Sequence, residues 1–335
     1  MKTWQQTAQR LPVRVRPMRG ETVISYVFRL ADANDLARPT ILLGALGRPT
    51  RGLTRSLVND FDIRVNQHSL DRLETFTGIP AARLRKALPG LHRLDDTLPE
   101  EIPAFRPSRA WGLHDYCDQC AARLPAQHTI RVYSLYFPKL CHKHRVWFAD
   151  RTDLTNTPEI ITAHRRYGRL LAATADRQWA YGQLHRATQI IMDWAPHSYR
   201  LVPRLHERWE ARGKALPGFH TPHNPTHLLV YPEAVALTEV FCDLEWRRHI
   251  AMVREFQTAN FYQHVAKRLN QPPDFARWLE RPWTRLLRRN YESVPNPIQR
   301  WINEIRHKHA KTRTEFYERH AGFTRTPFPE IRHFK

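Results

Sequence analysis

Four residues carry the clearest chemistry in the chain: Cys117, Cys120, Cys141 and His144. They run as Cys-x2-Cys, then twenty residues, then Cys-x2-His. Each pair sits on a tight knuckle, so two soft donors converge on one ion. Four sulfur and nitrogen ligands complete the tetrahedron that Zn2+ prefers and leave no position for water, which is the mark of a structural site. The second knuckle reads Cys-His-Lys-His, so His142 competes with His144; the spacing of His144 mirrors that of Cys117 and Cys120 and favours it. Cys242 stands alone in a helical stretch and reads as a small core residue. Clustering among so few cysteines points to metal rather than to a secreted disulfide scaffold.

Basic residues are the second chemical signal. Lys and Arg total 53 against 32 Asp and Glu, a formal net charge of +21, which draws a chain to polyanions and to nucleic acid above all. Within SLDRLETFTGIPAARLRKAL (69–88), Leu70, Leu73 and Phe76 make one apolar face, Gly78 breaks the helix, and Pro80 starts a second carrying Leu84 and Leu88. Two short helices about a glycine fit a helix-turn-helix with Arg83, Arg85 and Lys86 on its open face, or an ordinary helical hairpin. Arg165 and Arg166 follow in AHRRYGRLL, and Arg285, Arg288 and Arg289 lie near the C-terminus. Residues 281–335 hold 13 Lys and Arg against 5 Glu, interleaved with Trp283, Tyr291, Trp301, Phe316, Tyr317, Phe323 and Phe328. That mixture suits a strand-tracking surface on which bases stack, or a helical face whose aromatics turn inward.

The elements that must position these groups are mostly helical. RLPVRVRPMRG (10–20) reads as an extended arm. Val23, Tyr26, Val27 and Leu30 then recur at helical spacing, with Glu21 in the first turn. Pro39 opens a second helix that Gly47 closes. Residues 89–107 hold four prolines and read as a linker. HTIRVYSLYF, rich in β-branched and aromatic residues, reads as a strand between the two knuckles. From Pro158 the pattern is helical to about Trp194; residues 214–232 read as loop; helices resume at EAVALTEVFCDLEWRRHIAMV. The fold class is mainly α and multi-module. An N-terminal arm and helix-turn-helix-like region spans 1–108, a zinc-ribbon-like β module 109–157, and a basic helical region 158–335.

The chain lacks a glycine-rich phosphate loop and a nucleophile elbow, and its acids show no catalytic spacing, so the expectation is a binding protein rather than an enzyme. No apolar run approaches the roughly 20 residues that span a bilayer, and Met1–Gln9 lacks the apolar core of a signal peptide. The expected location is the cytoplasm, on the nucleoid, with no membrane partner.

Two blocks together resemble the TniQ family of transposition proteins. LPVRVRPMRGETVISYVFRLADANDL is similar to that family's opening arm, Glu-Thr step and Ser-Tyr…Arg-Leu-Ala helix. YCDQCAARLPAQHTIRVYSLYFPKLCHKHRVWFAD is similar to its paired knuckles and intervening strand, and AHRRYGRLL fits the helix that follows. The resemblance covers about residues 11–175 and places Cys117, Cys120, Cys141 and His144 at the family's ligand positions for one structural Zn2+. It implies a non-enzymatic targeting adaptor that meets DNA directly or through an RNA-guided complex, then recruits an AAA+ ATPase regulator and a transposase. The alternative is a stand-alone zinc-containing DNA-binding regulator; a homodimer is compatible with either. On the adaptor reading, Arg10, Arg14, Arg16 and Arg19 of the arm pair with acids on the ATPase.

Overall fold

The computed structural model describes residues 3–49, 61–92, 94, 101–102, 104–105, 112–124, 129–134, 140–195, 202–218, 220–222, 225–252, 258–280, 283–287, 290–294 and 296–320. At 49, 101–102, 104–105, 283–287, 290–294 and 310–320 the description is of main chain alone. The chain divides into two compact units, 1–161 and 162–335, and is mainly helical with short strands. The segment 109–157 lies within the first unit.

Helix α1 (Val23–Ala33) follows from its sequence: Val23, Tyr26, Val27 and Leu30 face one way and all are fully buried. Thr22 caps it, its Oγ1 accepting from the Ser25 amide at 3.2 Å. Helix α2 (Pro39–Leu46) opens on Pro39 and is closed by Gly47, as the spacing predicts. Helix α3 (Gln67–Thr77), capped by Asn66, ends at Gly78 in the left-handed region (φ 60°), and Pro80 leads into helix α4 (Ala81–Ala87). Leu70, Leu73, Leu84 and Leu88 are fully buried in a core shared with α1 and α2. The linker expected at 89–107 contains ordered pieces: a 3-10 turn at Pro89–His92, then β3 (Glu101–Ile102) beside β1 (Arg48–Pro49), and β4 (Ala104–Phe105) beside β2 (Asp62–Ile63).

The arm is a strap fastened along this unit. The Leu11 amide donates to the Phe76 carbonyl at the end of α3, and the Gly20 amide to the Ala87 carbonyl at the end of α4. Between them Asn34 both accepts from and donates to Val13, Val15 is buried, and the Tyr26 hydroxyl donates to the Val15 carbonyl. Further upstream, Arg72 reaches from α3 to the carbonyls of Ala45 and Gln6 at 2.6 and 2.7 Å.

Below the strap lies a fully buried ion pair. Arg29 Nε and Nη2 each donate to a Glu21 carboxylate oxygen at 2.8 Å, the two-pronged geometry that suits guanidinium and carboxylate. Ser25 Oγ and the Met18 amide also donate to that carboxylate, and Arg29 Nη2 donates to the Arg16 carbonyl. Glu21 precedes the helix instead of serving its first turn; its partner is Arg29, eight positions on.

The second unit is built of helices α6 (Pro158–Ala173, whose first turn ends the first unit), α7 (Arg177–Trp194), α8 (Pro203–Ala215), α9 (His227–Cys242), α10 (Leu244–Met252), α11 (Ala259–Arg268), α12 (Pro273–Glu280) and α13 (Pro297–His320), with a hairpin of β9 (Trp283–Leu287) and β10 (Asn290–Val294). The helical stretch from Pro158 is two helices, because Asp176 caps a new start by accepting from the Trp179 amide. Helix α9 begins inside the expected loop 214–232 and carries Pro232 without ending. Its buried residues lie on every side, so tertiary burial outweighs the missing proline donor. Glu233 on it accepts from Trp209 at 3.0 Å and from Arg212 at 2.9 Å, both buried.

Removing one side of the Glu21–Arg29 pair leaves a charge stranded in the core. Glu21→Ala is expected to cost roughly 3–5 kcal/mol, read as a fall in the urea midpoint; an unchanged midpoint would refute the assigned role.

Candidate functional site

The ligand residues are delivered by two short antiparallel pairs. Strand β5 (Leu113–Asp115) pairs with β6 (Arg131–Tyr133) and leads into the first knuckle, where a one-turn helix α5 (Asp118–Ala121) starts at Cys117. Strands β7 (Leu140–Cys141) and β8 (Val146–Trp147) form a hairpin whose tip is the second knuckle. Arg145 takes a left-handed φ of 55° there, and turns the chain back. The strand expected through HTIRVYSLYF is three residues long, Arg131–Tyr133; Thr129, Ile130 and Ser134 lie outside it, and 128 and 135–137 are outside the described residues.

Within this frame the four side chains meet. His144 Nδ1 lies 3.2 Å from Cys117 Sγ, 3.3 Å from Cys120 Sγ and 3.6 Å from Cys141 Sγ, and the sulfurs of Cys120 and Cys141 are 3.7 Å apart. All four donor atoms lie within 4.8 Å of one another, a cluster that could hold one metal ion. The His144 amide donates to Cys141 Sγ at 3.4 Å, which tightens the second knuckle. His142, the rival ligand, is exposed and is not one of the clustered donors. Burial, and then the neighbouring thiols, push Cys120 up to about 11; burial raises Cys117 as well. Three thiols packed this closely resist ionisation together unless a cation shares their charge, and a coordinated dication deprotonates them outright.

The cluster has a small core of its own. Cys117, Cys141, Ile130, Val132 and Phe148 are buried together, with Met18 of the arm and Tyr116 packed against them. The segment also adds to the helical part of the unit. The Thr22 amide donates to the Arg131 carbonyl, and the Tyr133 amide to the Gly20 carbonyl, so residues 20–22 lie along the free edge of β6. Asp62 joins the same seam: its carboxylate accepts from the amides of Val23, Ile24 and Ile63 and from the Tyr133 hydroxyl. It sits fully buried at the N-terminus of α1, where amides and helix dipole favour an anion, yet burial dominates and pushes it up to about 6.

The residues expected to touch nucleic acid are scattered. Arg83 and Lys86 are exposed on α4, whereas Arg85 is half-buried and donates to Gln67 on α3. Arg165 is exposed on α6; Arg166 is engaged by Glu239 in a two-pronged ion pair that Arg268 shares. Arg285 lies on β9 as main chain alone, and Arg288 and Arg289 lie outside the described residues. Of the C-terminal aromatics, Trp301 is buried and stacks on Phe241 with ring centroids 4.2 Å apart, so it is core and no base-stacking platform. The side chains of the other six are not among those described. Arg10, Arg14, Arg16 and Arg19 are all exposed, although the main chain that carries them is pinned.

An arm, a helical hairpin and paired knuckles sewn into one unit can be set against known families. Residues 12–147 match the family model TniQ. The segment is a TniQ domain. It runs from the arm through β8 and takes in the Glu21–Arg29 pair, Asp62 and every residue of the Cys3His cluster. No curated protein and no solved structure matches the chain. The TniQ domain makes this a transposition-associated chain. No helix among the described residues is long and apolar enough to cross a membrane.

Sequence spacing pointed to the ligands but not to Asp62, Tyr133 or Arg72. Their partners lie on other elements, so no local pattern marks them. An acid placed between two large apolar residues, Phe61 and Ile63, was the available hint for Asp62.

One metal ion per chain is expected by elemental analysis, with Cys141→Ser losing the ion and becoming protease-sensitive; metal-free parent protein would contradict this. A second expectation concerns pH. Between about pH 4 and 6 the folded chain keeps a proton on Asp62 that the unfolded chain, with its ordinary value of 3.8, has released. That contribution to stability is therefore present in acid and declines as pH rises. Asp62→Asn cannot titrate, so its deficit against the parent should be widest near pH 4 and narrow by pH 7 in paired urea melts. Metal-ligand protonation is common to both proteins and cancels; a gap that widens with pH would refute the assignment.

Proposed function

We propose that this chain is a non-enzymatic targeting adaptor for DNA transposition, linking a target-recognition element to an AAA+ ATPase regulator and a transposase. The observation that carries the reading is the TniQ domain, which coincides with most of the first compact unit and encloses the four-ligand cluster. The target element is DNA itself or an RNA-guided complex bound to it.

In this reading the metal is one structural Zn2+. A tetrahedral Cys3His site with bonds of about 2.3 Å to sulfur and 2.0 Å to nitrogen has edges of about 3.8 Å between sulfurs and 3.5 Å between sulfur and nitrogen. The separations of 3.7 Å and 3.2–3.6 Å found here fit those edges. Cys117, Cys120, Cys141 and His144 would fill all four positions, so the ion supplies folding energy and no reactive water. Its role is to lock the two knuckles and, through β6, the start of α1.

The ATPase contact is assigned to the arm, and within it to Arg16 and Arg19. Both are exposed and held on a main chain already fixed, so little entropy is lost when they meet an acidic partner. The α3–Gly78–α4 hairpin, with Arg83 and Lys86 exposed, supports a second reading as a stand-alone DNA-binding regulator.

A pull-down separates the two. The intact zinc-loaded chain is mixed with the AAA+ ATPase of the same transposition system, ATP and duplex DNA. Capture of the ATPase is expected, weakened at least tenfold in the double variant Arg16→Glu with Arg19→Glu at unchanged metal content. DNA binding without any capture of ATPase or transposase would overturn the adaptor reading in favour of the regulator.

A further inference from the structure

We propose that the arm and the α3–α4 turn form one phosphate-binding surface, with Arg10 and Arg14 acting beside Arg83 and Lys86 on the backbone of a nucleic-acid duplex. The proposal rests on the reading that this chain works on DNA, and it moves Arg10 and Arg14 away from the ATPase contact.

The deciding geometry is at Gly78. A side chain built there would meet Arg10 Nε at 3.0 Å and Arg14 Nη2 at 3.1 Å. Two guanidiniums from the arm thus converge over the one residue that joins α3 to α4. The Leu11 amide, donating to Phe76 at 2.9 Å, fixes the arm at that spot, and Gly20 fixes its other end on Ala87 at 2.7 Å. The exposed α4 cations Arg83 and Lys86 lie on the element between those two anchors.

Like charges gathered this way require compensation. The carbonyl end of α3 supplies part of it, since cations are favoured at a helix C-terminus, but only about half an elementary charge is available there. Among the described residues no acid pairs with Arg10, Arg14, Arg83 or Lys86. Some exposed arginines elsewhere are paired, Arg151 with Asp115 and Arg268 with Glu239; here four unpaired cations share the arm and the α3–α4 turn. Four unpaired cations on pinned main chain, in a chain of net charge +21, match a row of phosphates better than a single carboxylate. Guanidinium also suits phosphate through two parallel N–H bonds. A side chain at Gly78 would crowd both guanidiniums and would also strain its left-handed backbone.

The test uses the intact zinc-loaded chain and fluorescence anisotropy with duplexes of unrelated sequence across a salt series. Arg10→Ala with Arg14→Ala, and separately Arg83→Ala with Lys86→Ala, should each lower the slope of log affinity against log salt by about 2. Each should weaken binding at least tenfold at low salt for every duplex. Arg277→Ala, in the second unit, should change affinity less than twofold. Arg10→Lys with Arg14→Lys should retain most of the parent slope, and all variants should keep parent metal content and Tm. If the arm pair leaves the slope unchanged in a folded, metal-loaded protein, or if the parent fails to bind duplex, the proposal is wrong. If the arm pair loses ATPase capture instead, the partner is an acidic protein and the proposal is likewise wrong. ATPase capture by the parent judges the adaptor reading separately, so either can fall while the other stands.

Discussion

The first unit depends on how it keeps one carboxylate in its core. Glu21 has no exposed surface, and desolvating such a charge costs several kcal/mol unless every lone pair finds a partner. Its partners come from two elements: Arg29 and Ser25 on α1, and the Met18 amide on the arm. Arg29 in turn holds the Arg16 carbonyl, and Ser25 Oγ accepts from the Arg131 amide on β6. The pair is thus a joint between strap, helix and the segment that carries the Cys3His cluster. Its value is specificity as much as stability, since a buried, hydrogen-bonded ionic network favours one arrangement of those three pieces.

Asp62 acts at the opposite edge of the same seam. Its four donors come from α1, from β2 and from Tyr133 on β6. The start of α1 is therefore bracketed by two buried carboxylates, Glu21 satisfied by a cation and Asp62 by amides and a hydroxyl. The ligand cluster lies beyond β6. The knuckles are small, and without these links the segment would have little beyond its own few buried residues to hold it in register.

The sequence was most legible where a pattern is local. The 3.6-residue recurrence of Val23, Tyr26, Val27 and Leu30, the Gly78 break between Leu73 and Leu84, and the knuckle spacing of Cys117, Cys120, Cys141 and His144 each depend on neighbours within a few positions. The structure bears out the helices and brings the four ligands together. Legibility failed where the partner is remote. Pro232 argued for a loop, but burial on all sides of α9 prevails. Trp301 read equally well as base platform or core, and only its stacking on Phe241 and Phe261 decides. The arm read as extended and cationic, which it is; nothing in its composition announced that its main chain is fastened at both ends while its arginines face outward.

The edge that residues 20–22 lend to β6 also bears on how the domain comes into being during synthesis. Ser25 and Arg131 are 106 positions apart, yet they share a hydrogen bond. A ribosome adding 5–20 residues per second needs on the order of ten seconds to cover such a gap. For that interval α1 exists without its β6 neighbour, with Glu21 and Asp62 each short of a donor group or packing surface. The two carboxylates can stay hydrated while they wait, which keeps the nascent helix soluble. Arrival of β6 then closes the seam, bringing the Tyr133 hydroxyl to Asp62 and the Arg131 amide to Ser25. The domain is thus timed by its last-made strands, and the first-made helix completes its set of partners only when they arrive.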